Sequence, residues 1–480
     1  MELIGRKAER LIIREVLTSG SPELVAVWGR RRVGKTFLVR KGRAPAEDHF
    51  FEVTGRRKAR RKEQIGHFMD GFVKAFHPSY TLPLPENWDG AFRYLGDAIE
   101  SSFPGDDKPI TVFFDEAPWL DSRGSGFIDA LEYFWNSKGS KYSRLKVFIC
   151  GSAASWIVQK ILRGKGGWHR RITHQIRVEP FKLHESETFL HVKDIRLSRA
   201  DLLKLYMVMG GVPYYLNLMS RGESVSGAVD RLFFSDPPEL KGEFDELFDS
   251  LFDNSPVHKR IISAVAGTKA GLTRSEIASR AKLPSGGNLS RYIDNLEQSG
   301  FLEAHEPLGR HSKKDMRYRV CDMFTLFHRD WLAGKLHMRS WQSIVTSQRY
   351  KSWCGHAFEI VAWNHARYIA DALGLSKNDY YVTRATLQNK EGRAQIDLLL
   401  DVTGGAVYLM ELKCSDDPFV MSANEAGRLL QSRRVLSEHF KGKRSIIVCL
   451  LAAGGAQANA HLREAVDLTL DVNALFPTAE

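Results

Sequence analysis

The sequence lacks the features that mark disulfide-rich, zinc-binding and membrane-spanning proteins. Its 480 residues include only five cysteines, which lie far apart and form no CxxC pair, so neither a zinc ribbon nor a disulfide framework is indicated. No apolar run approaches the length of a membrane span, and no secretory signal opens the chain. Internal repeats and low-complexity tracts are missing too. We therefore expect a cytoplasmic protein without a membrane partner.

Positive charge, in contrast, is in excess. Lysine and arginine number 69 against 57 acidic residues, which gives a net charge of +12. Basic residues cluster at 56–62 and again at 310–319. This balance favours a polyanionic partner, and we expect nucleic acid, with DNA favoured over RNA. For the first cluster taken alone, ordinary solvated surface charge remains an alternative.

The chain is too long for a single hydrophobic core, so we expect roughly two to four domains. Its hydrophobic content of 43% and charged content of 26% are those of an ordinary folded protein. Residues 1–180 alternate apolar strand-like runs with helical patterns, which is typical of an α/β domain with a parallel sheet. Residues 181–254 are predicted to be helical, with a break at Gly210 and Gly211.

The most informative segment follows an apolar strand at 24–28. It has the GxxxxGK[ST] pattern of a phosphate-binding loop and comprises Gly29, Arg30, Arg31, Arg32, Val33, Gly34, Lys35 and Thr36. The glycines let backbone N–H groups turn toward phosphates, while Lys35 is placed for the β- and γ-phosphates and Thr36 for Mg2+. The sequence therefore predicts ATP and Mg2+ as cofactors.

Two further strands end in polar residues suited to the same chemistry. The continuous apolar run 110–114 predicts a strand buried on both faces, and it ends in Asp115 and Glu116. We expect Asp115 to hold Mg2+ through water and Glu116 to polarise the attacking water. The strand from residue 145 to 150 leads to Ser152, which is placed to contact the γ-phosphate or that water. Solvated acids and a polar strand-end cap are the alternatives.

Residues 255–335 have the pattern of a winged helix-turn-helix. A capping box formed by Thr273 and Glu276 opens the first helix, and Asn288 is the expected cap of the second. In a DNA reader the exposed side of the second helix would face the major groove and the wing would lie near phosphates. The residues concerned are Ser290, Arg291 and Asn295 on the helix, and Arg310, Lys313 and Lys314 on the wing. A winged helix that only packs between domains is the alternative.

Residues 336–480 hold a second group of candidate catalytic residues. Two strands joined by a Gly-Gly turn carry Asp397 on the first and Glu411 and Lys413 on the second. Alternation along a strand puts Glu411 and Lys413 on one face. The carboxylates of Asp397 and Glu411 suit Mg2+, Lys413 can orient a water, and Glu359 can add a carboxylate from a preceding helix. An ion pair on an edge strand is the alternative.

Together these motifs resemble the "archaeal ATPase" group of prokaryotic AAA+-type P-loop ATPases, from the signal-transduction-like branch. Besides the residues above, the resemblance rests on Ile4-Gly5-Arg6, Gly167-Trp168-His169-Arg170-Arg171-Ile172-Thr173, Pro180-Phe181, Gly210-Gly211-Val212-Pro213, Tyr318-Arg319-Val320-Cys321-Asp322 and Phe327. In this group the C-terminal domain resembles the PD-(D/E)xK nucleases, here with Ile396 where the name expects proline. The resemblance also implies an arginine finger at Arg171, with Arg170 beside it as the alternative.

The expected fold is an α/β P-loop domain at 1–180, a helical lid at 181–254, a winged helix at 255–335, and a restriction-endonuclease-like α/β domain at 336–480. The expected function is ATP binding and hydrolysis coupled to a Mg2+-dependent nuclease-like domain that acts on nucleic acid, in defence or mobile-element control, with assembly into a homo-oligomer left open. The alternatives are a nucleotide-dependent switch or scaffold, and a winged-helix DNA-binding regulator without cleavage activity.

Overall fold

The computed structural model describes residues 2–43, 47–78, 81–103, 105–152, 156–162, 168, 171–309, 312, 314–333 and 340–478. They form two compact units, the first comprising residues 1–180 and 298–300, and the second residues 181–297 and 301–480. Arg170, Arg310 and Lys313 lie outside the described residues. Across these ranges, no helix is long and apolar enough to cross a bilayer. The division into four domains at residues 180, 254 and 335 stays a prediction.

A five-stranded parallel sheet organises the first unit, in the order β2-β3-β4-β1-β5. The strands are β1 (Glu23–Trp28), β2 (His49–Thr54), β3 (Ile110–Asp115), β4 (Leu145–Gly151) and β5 (His174–Arg177). β1, β3 and β4 are buried along their whole length, as the continuous apolar runs predict. In a parallel sheet these strands have their carboxyl ends at one edge, so the segments that follow them meet there.

Helices cover both faces of this sheet. They are α1 (Lys7–Thr18), α2 (Lys35–Gly42), α3 (Arg61–Phe76), α4 (Trp88–Ser101), α5 (Ala117–Leu120) and α6 (Phe127–Ser137). The aromatic-rich core on one face is formed with α3, α4 and α6, and the core on the other face with α1 and α2. Because α2 begins at Lys35, within the phosphate-loop motif, its first turn points free N–H groups at that edge of the sheet.

The second unit begins with a helical segment, as predicted. Its helices are α7 (Leu183–Val192), α8 (Arg199–Met209), α9 (Pro213–Asn217), α10 (Val225–Val229) and α11 (Glu243–Leu251). The break between α8 and α9 falls at Gly210 and Gly211. There the N–H of Phe181 donates to the carbonyl oxygen of Gly211 at 2.6 Å. A Cβ added to Gly211 would overlap the carbonyl oxygen of Phe181, so the two backbones meet closely only because this residue is glycine.

The middle module, residues 255–320, combines helices with a small antiparallel sheet. Its elements are α12 (Ser255–Ala266), β6 (Leu272–Thr273), α13 (Arg274–Arg280), α14 (Gly287–Gln298), β7 (Leu302–His305) and β8 (Arg317–Val320). The sheet has the order β6-β8-β7. The capping box of Thr273 and Glu276 is confirmed at the start of α13. Asn288 is not the cap of the next helix, because α14 already begins at Gly287.

The C-terminal module, residues 323–478, is built on a mixed five-stranded sheet in the order β15-β13-β11-β10-β9. The strands of this sheet are β9 (Tyr380–Asn389), β10 (Gly392–Val402), β11 (Val407–Lys413), β13 (Ile446–Ala452) and β15 (Leu468–Leu470). A separate two-stranded sheet is formed by β12 (Phe419–Val420) and β14 (Ala456–Gln457). Its helices are α15 (Met323–Phe327), α16 (Trp341–Ile344), α17 (Gln348–Asn364), α18 (Ala366–Ala372), α19 (Ala423–His439) and α20 (Ala460–Ala465). β11, which carries Glu411 and Lys413, is the middle strand and not an edge strand.

We predict that Gly211→Ala destabilises the second unit by about 2 kcal/mol or more, because the new methyl group must displace the backbone at Phe181. Gly355→Ala is the matched control. Gly355 lies within α17, and an added Cβ meets no atom within 4 Å, so helix propensity should stabilise this variant by about 0.5–1 kcal/mol. Urea unfolding measures both changes. Equal stability of the two variants would contradict the close approach.

Acid should destabilise the second unit through His328. Burial lowers the pKa of His328 to about 4, against about 6.5 for an unfolded histidine. The unfolded chain therefore takes up the proton first, and stability is lost as the pH falls from about 6.5 to about 4, by about 1.4 kcal/mol at pH 5.5. His328 stacks on Phe244 with ring centroids 4.0 Å apart, so His328→Phe keeps a ring contact but cannot titrate. Urea unfolding at pH 7.5 and 5.5 should show a smaller acid loss in His328→Phe, whereas substitution of the exposed His191 by Gln should leave that loss unchanged.

Candidate functional site

Packing holds the phosphate loop in shape between β1 and α2. Gly29 has φ of 149°, and a Cβ there would overlap the carbonyl oxygen of Val178, so only glycine fits. Arg6, which is buried, donates from Nη2 to the carbonyl oxygen of Val33 at 3.2 Å. The sequence singled out Arg6 only as part of a resemblance, and its support of the loop was not predicted.

Lys35 and Thr36 begin α2 at the edge of the sheet. The buried Nζ of Lys35 donates to the carbonyl oxygens of Gly29 and Arg30 at 3.1 and 3.0 Å. Thr36 Oγ1 donates to Asp115 Oδ2 at 2.8 Å. The loop and the end of β3, far apart in sequence, therefore meet as the motif spacing predicts.

At the ends of β3 and β4, one acid is buried and the other is held by a serine. Burial raises the pKa of Asp115, although the hydrogen bond from Thr36 opposes this rise. Glu116 has φ of 45°, a conformation that non-glycine residues adopt rarely and often at functional sites. Ser152 Oγ donates to Glu116 Oε2 at 2.7 Å, and the Ser152 N–H donates to the same carboxylate at 3.3 Å. Ser152 thus orients Glu116, a role that the sequence did not predict.

The oxygens at this edge fit a magnesium ion. The hydroxyl of Thr36 and the carboxylate of Asp115 are hard donors already within hydrogen-bond distance of each other, which is the donor chemistry that Mg2+ prefers. Free N–H groups in the first turn of α2 suit phosphate oxygens. The arrangement can therefore hold a nucleoside triphosphate with its metal.

The arginines near this motif differ in placement. Arg30 is buried, whereas Arg31 and Arg32 are partly exposed within the loop. Arg171 is exposed and precedes β5, whose first residue lies beside Val25 in β1. It therefore lies toward the start of β1, whereas the phosphate loop follows the end of that strand. The structure does not bring Arg171 to the phosphate loop of its own chain.

In the C-terminal module, Lys413 lies between two carboxylates. Its Nζ is 3.0 Å from Glu411 Oε1 and 3.1 Å from Glu425 Oε1. Burial lowers the pKa of Lys413, but the two carboxylates outweigh burial and the net shift is upward. Glu425 lies in the first turn of α19, in a capping box with Ser422. Glu425, which reaches Lys413 from this helix, was not predicted from the sequence.

Asp397 and Glu411 lie just beyond the last pair of the ladder between β10 and β11. That antiparallel ladder ends with Leu398 opposite Met410, so the two acids follow it on adjacent strands. On the other side of β10 the register shifts between Ile396 and Leu399. Asp397 and Leu398 therefore form a β-bulge, a feature that often redirects a side chain beside an active site.

Glu359 is buried on α17 and pairs with two cations. Its Oε1 accepts from Lys269 Nζ at 2.9 Å, and its Oε2 lies 3.7 Å from Arg384 Nη2. Burial and then the nearby charge of Asp397 raise the pKa of Glu359, against the effect of the two cations. Glu359 and Asp397 are thus electrostatic neighbours, and neither Lys269 nor Arg384 was predicted to belong here.

Glu359, Asp397 and Glu411 do not form a ready metal site. Within the described ranges, no three histidine, cysteine, aspartate or glutamate side chains are grouped closely enough to hold a metal ion. Their oxygen chemistry fits Mg2+, and Glu359 Oε2 is buried without a hydrogen-bond partner. The chemistry of a metal centre is therefore present, whereas its close grouping is not.

The segment between β7 and β8 of the middle module packs on the C-terminal module. The N–H of Leu308 donates to the carbonyl oxygen of Arg384 at 3.1 Å, and Thr383 Oγ1 donates to the carbonyl oxygen of Glu306 at 2.8 Å. On α14, Arg291 is exposed, whereas Ser290 Oγ accepts from Arg274 Nε at 2.8 Å. The start of this segment is therefore used for packing, and α14 keeps an exposed arginine.

Comparisons with known proteins give a fold likeness but no family. No family model matches the chain. The uncharacterized protein MJECL04 of Methanocaldococcus jannaschii is 25% identical over 367 residues, which cover 75% of this chain and 76% of that protein. The Walker-type ATPase PABY2304 of Pyrococcus abyssi is 20% identical with a TM-score of 0.50, and the match covers 68% of this chain and 96% of that one.

The Pyrococcus likeness, together with the parallel sheet, confirms the predicted α/β P-loop fold. The ORC2 protein of Aeropyrum pernix, in ADPNP and ADP complexes, is 14% identical with a TM-score of 0.44, over 68% of this chain and 93% of that one. This second likeness is too low to show a shared fold.

Proposed function

We propose that the chain binds and hydrolyses ATP with Mg2+ at the phosphate-loop edge of the first unit. The observation that carries this proposal is the 2.8 Å hydrogen bond between Thr36 and Asp115, which joins the loop to the end of β3. The shared fold with a protein named as a Walker-type ATPase supports the same chemistry here.

The residues at this edge have separable roles. Lys35 would leave the carbonyl oxygens of its own loop to meet the β- and γ-phosphates, and the N–H groups of α2 would hold the same phosphates. Thr36 and Asp115 would hold Mg2+, which neutralises charge on the phosphates. Glu116, oriented by Ser152, would align the attacking water.

We predict that Lys35→Ala weakens ATP binding strongly and lowers turnover by about 100-fold or more, because the buried cation aimed at the phosphates is lost. Glu116→Gln should keep ATP binding but slow hydrolysis by about 100-fold or more. Phosphate release and binding of a fluorescent ATP analogue separate the two effects. Lys41→Ala is the control, since Lys41 is exposed on the same helix. Hydrolysis by Lys35→Ala at the wild-type rate would refute this function.

The C-terminal module is proposed to act on nucleic acid, with DNA as the favoured substrate. Asp397 and Glu411, which lie on neighbouring strands, would hold Mg2+, and Lys413 would orient a water or balance charge on a phosphate. The net charge of +12 and the exposed Arg291 on α14 support a polyanionic partner. The winged-helix and nuclease-like interpretations of the two modules belong to this proposal.

A switch without cleavage is the second candidate, and one observation favours it. Glu359 and Glu411 each pair with a lysine, and among the described residues no three histidine, cysteine, aspartate or glutamate side chains form a group that could hold a metal ion. In that case the C-terminal module would bind nucleic acid and respond to the nucleotide, but would not cleave.

Arg171 would act on ATP only from a second copy, because it does not reach the loop of its own chain, and this role stays a proposal.

We predict Mg2+- or Mn2+-dependent cleavage of DNA that both Asp397→Asn and Glu411→Gln reduce to background, with ATP hydrolysis intact, because each removes one carboxylate of the pair. Glu391→Gln is the control, since Glu391 is exposed in the turn between β9 and β10. Plasmid, single-stranded DNA and RNA should be tested with and without ATP. DNA binding without cleavage by the wild-type protein would instead favour the switch.

A further inference from the structure

The carboxylate of Glu359 is held by a residue from another module. Lys269 lies in the turn between α12 and β6, in the middle module, yet its Nζ is 2.9 Å from Glu359 Oε1 in the C-terminal module. The carboxylate side chain is 7% exposed, whereas the lysine side chain is 47% exposed. The buried carboxylate of Glu359 is therefore paired with the ammonium of a lysine that solvent can reach.

The same turn also contacts the strand opposite Asp397. Arg384 Nη1 donates to the carbonyl oxygen of Lys269 at 3.0 Å, and Arg384 Nη2 approaches Glu359 at 3.7 Å. In the ladder of β9 and β10, Arg384 stands opposite the bulge formed by Asp397 and Leu398. One residue of the middle module thus links the helix of Glu359 to the strand beside Asp397.

Electrostatics makes this contact incompatible with a metal at Glu359. A carboxylate that faces both an ammonium and a guanidinium has little net charge left for a divalent cation, and the ammonium repels such a cation strongly at short range. The buried Oε2 of Glu359 accepts no hydrogen bond, and it nevertheless has the chemistry of a metal ligand. If the ammonium of Lys269 occupies the place that a metal ion would take, it explains why three acidic side chains are not grouped closely enough to hold one.

We propose that Lys269 is a gating residue, whose ammonium keeps Glu359 out of the metal centre until the turn at 267–271 moves. The proposal rests on the metal centre of the proposed function. It makes the middle module a regulator of metal binding in the C-terminal module, because a shift of one turn removes the competing charge.

The test is Mn2+ binding to the full chain, measured by the electron paramagnetic resonance signal of free Mn2+, without nucleotide or nucleic acid. Lys269→Met should bind Mn2+ about ten-fold or more tightly than the wild-type protein, since the substitution removes a positive charge that repels Mn2+ at the carboxylate of Glu359. Lys269→Arg should resemble the wild type. Lys282→Met is the matched control, because Lys282 is an exposed lysine of the same module. Adding Glu359→Gln to Lys269→Met should abolish the gain.

The outcomes separate the gate from the metal centre. Equal Mn2+ affinity in the wild type and Lys269→Met, with Asp397→Asn weakening both, would overturn the gate and leave the centre standing. Mn2+ binding that none of Asp397→Asn, Glu411→Gln and Glu359→Gln alters would overturn both. If Lys269→Met lowers the thermal unfolding midpoint, Lys269→Gln replaces it, because glutamine keeps a hydrogen-bond donor without the charge. The same ten-fold gain is then required.

Discussion

The alignment of parallel strands is the constraint on which the first unit depends. Because β1, β3 and β4 run in the same direction and are buried on both faces, their ends lie at one edge. The phosphate loop, Asp115 and Ser152 then meet without any local sequence relation. The hydrogen bond from Thr36 to Asp115 is the direct result. A register error in any of the three strands would separate these groups.

The parts of the structure that sequence predicts well are those that depend on local patterns. Continuous apolar runs located β3 and β4, the capping box located the start of α13, and alternation placed Glu411 beside Lys413. Each depends on residues within a few positions of one another. The phosphate loop is also a local pattern, since its glycines and its lysine lie within one short stretch of the backbone.

The residues that the sequence did not predict are brought in by tertiary packing. Lys269 reaches Glu359 across 90 positions, and Glu425 reaches Lys413 only because α19 packs on the sheet that contains β11. Arg171 lies toward the start of β1 for a similar reason, since strand direction and not sequence distance decides which edge of the sheet a residue occupies. Ion pairs between residues of different elements leave no periodic pattern in a single sequence, so only the three-dimensional structure shows them.

The packing of the segment after β7 on β9 has a consequence for aggregation. β9 is at the edge of its sheet, and an uncovered edge offers unpaired N–H and C=O groups to other chains. The segment from Glu306 to Leu308 covers part of this edge through Thr383 and Arg384. Separating the two modules by truncation would expose these backbone groups and favour aggregation through strand pairing. The middle module thus also shields its neighbour from misassembly.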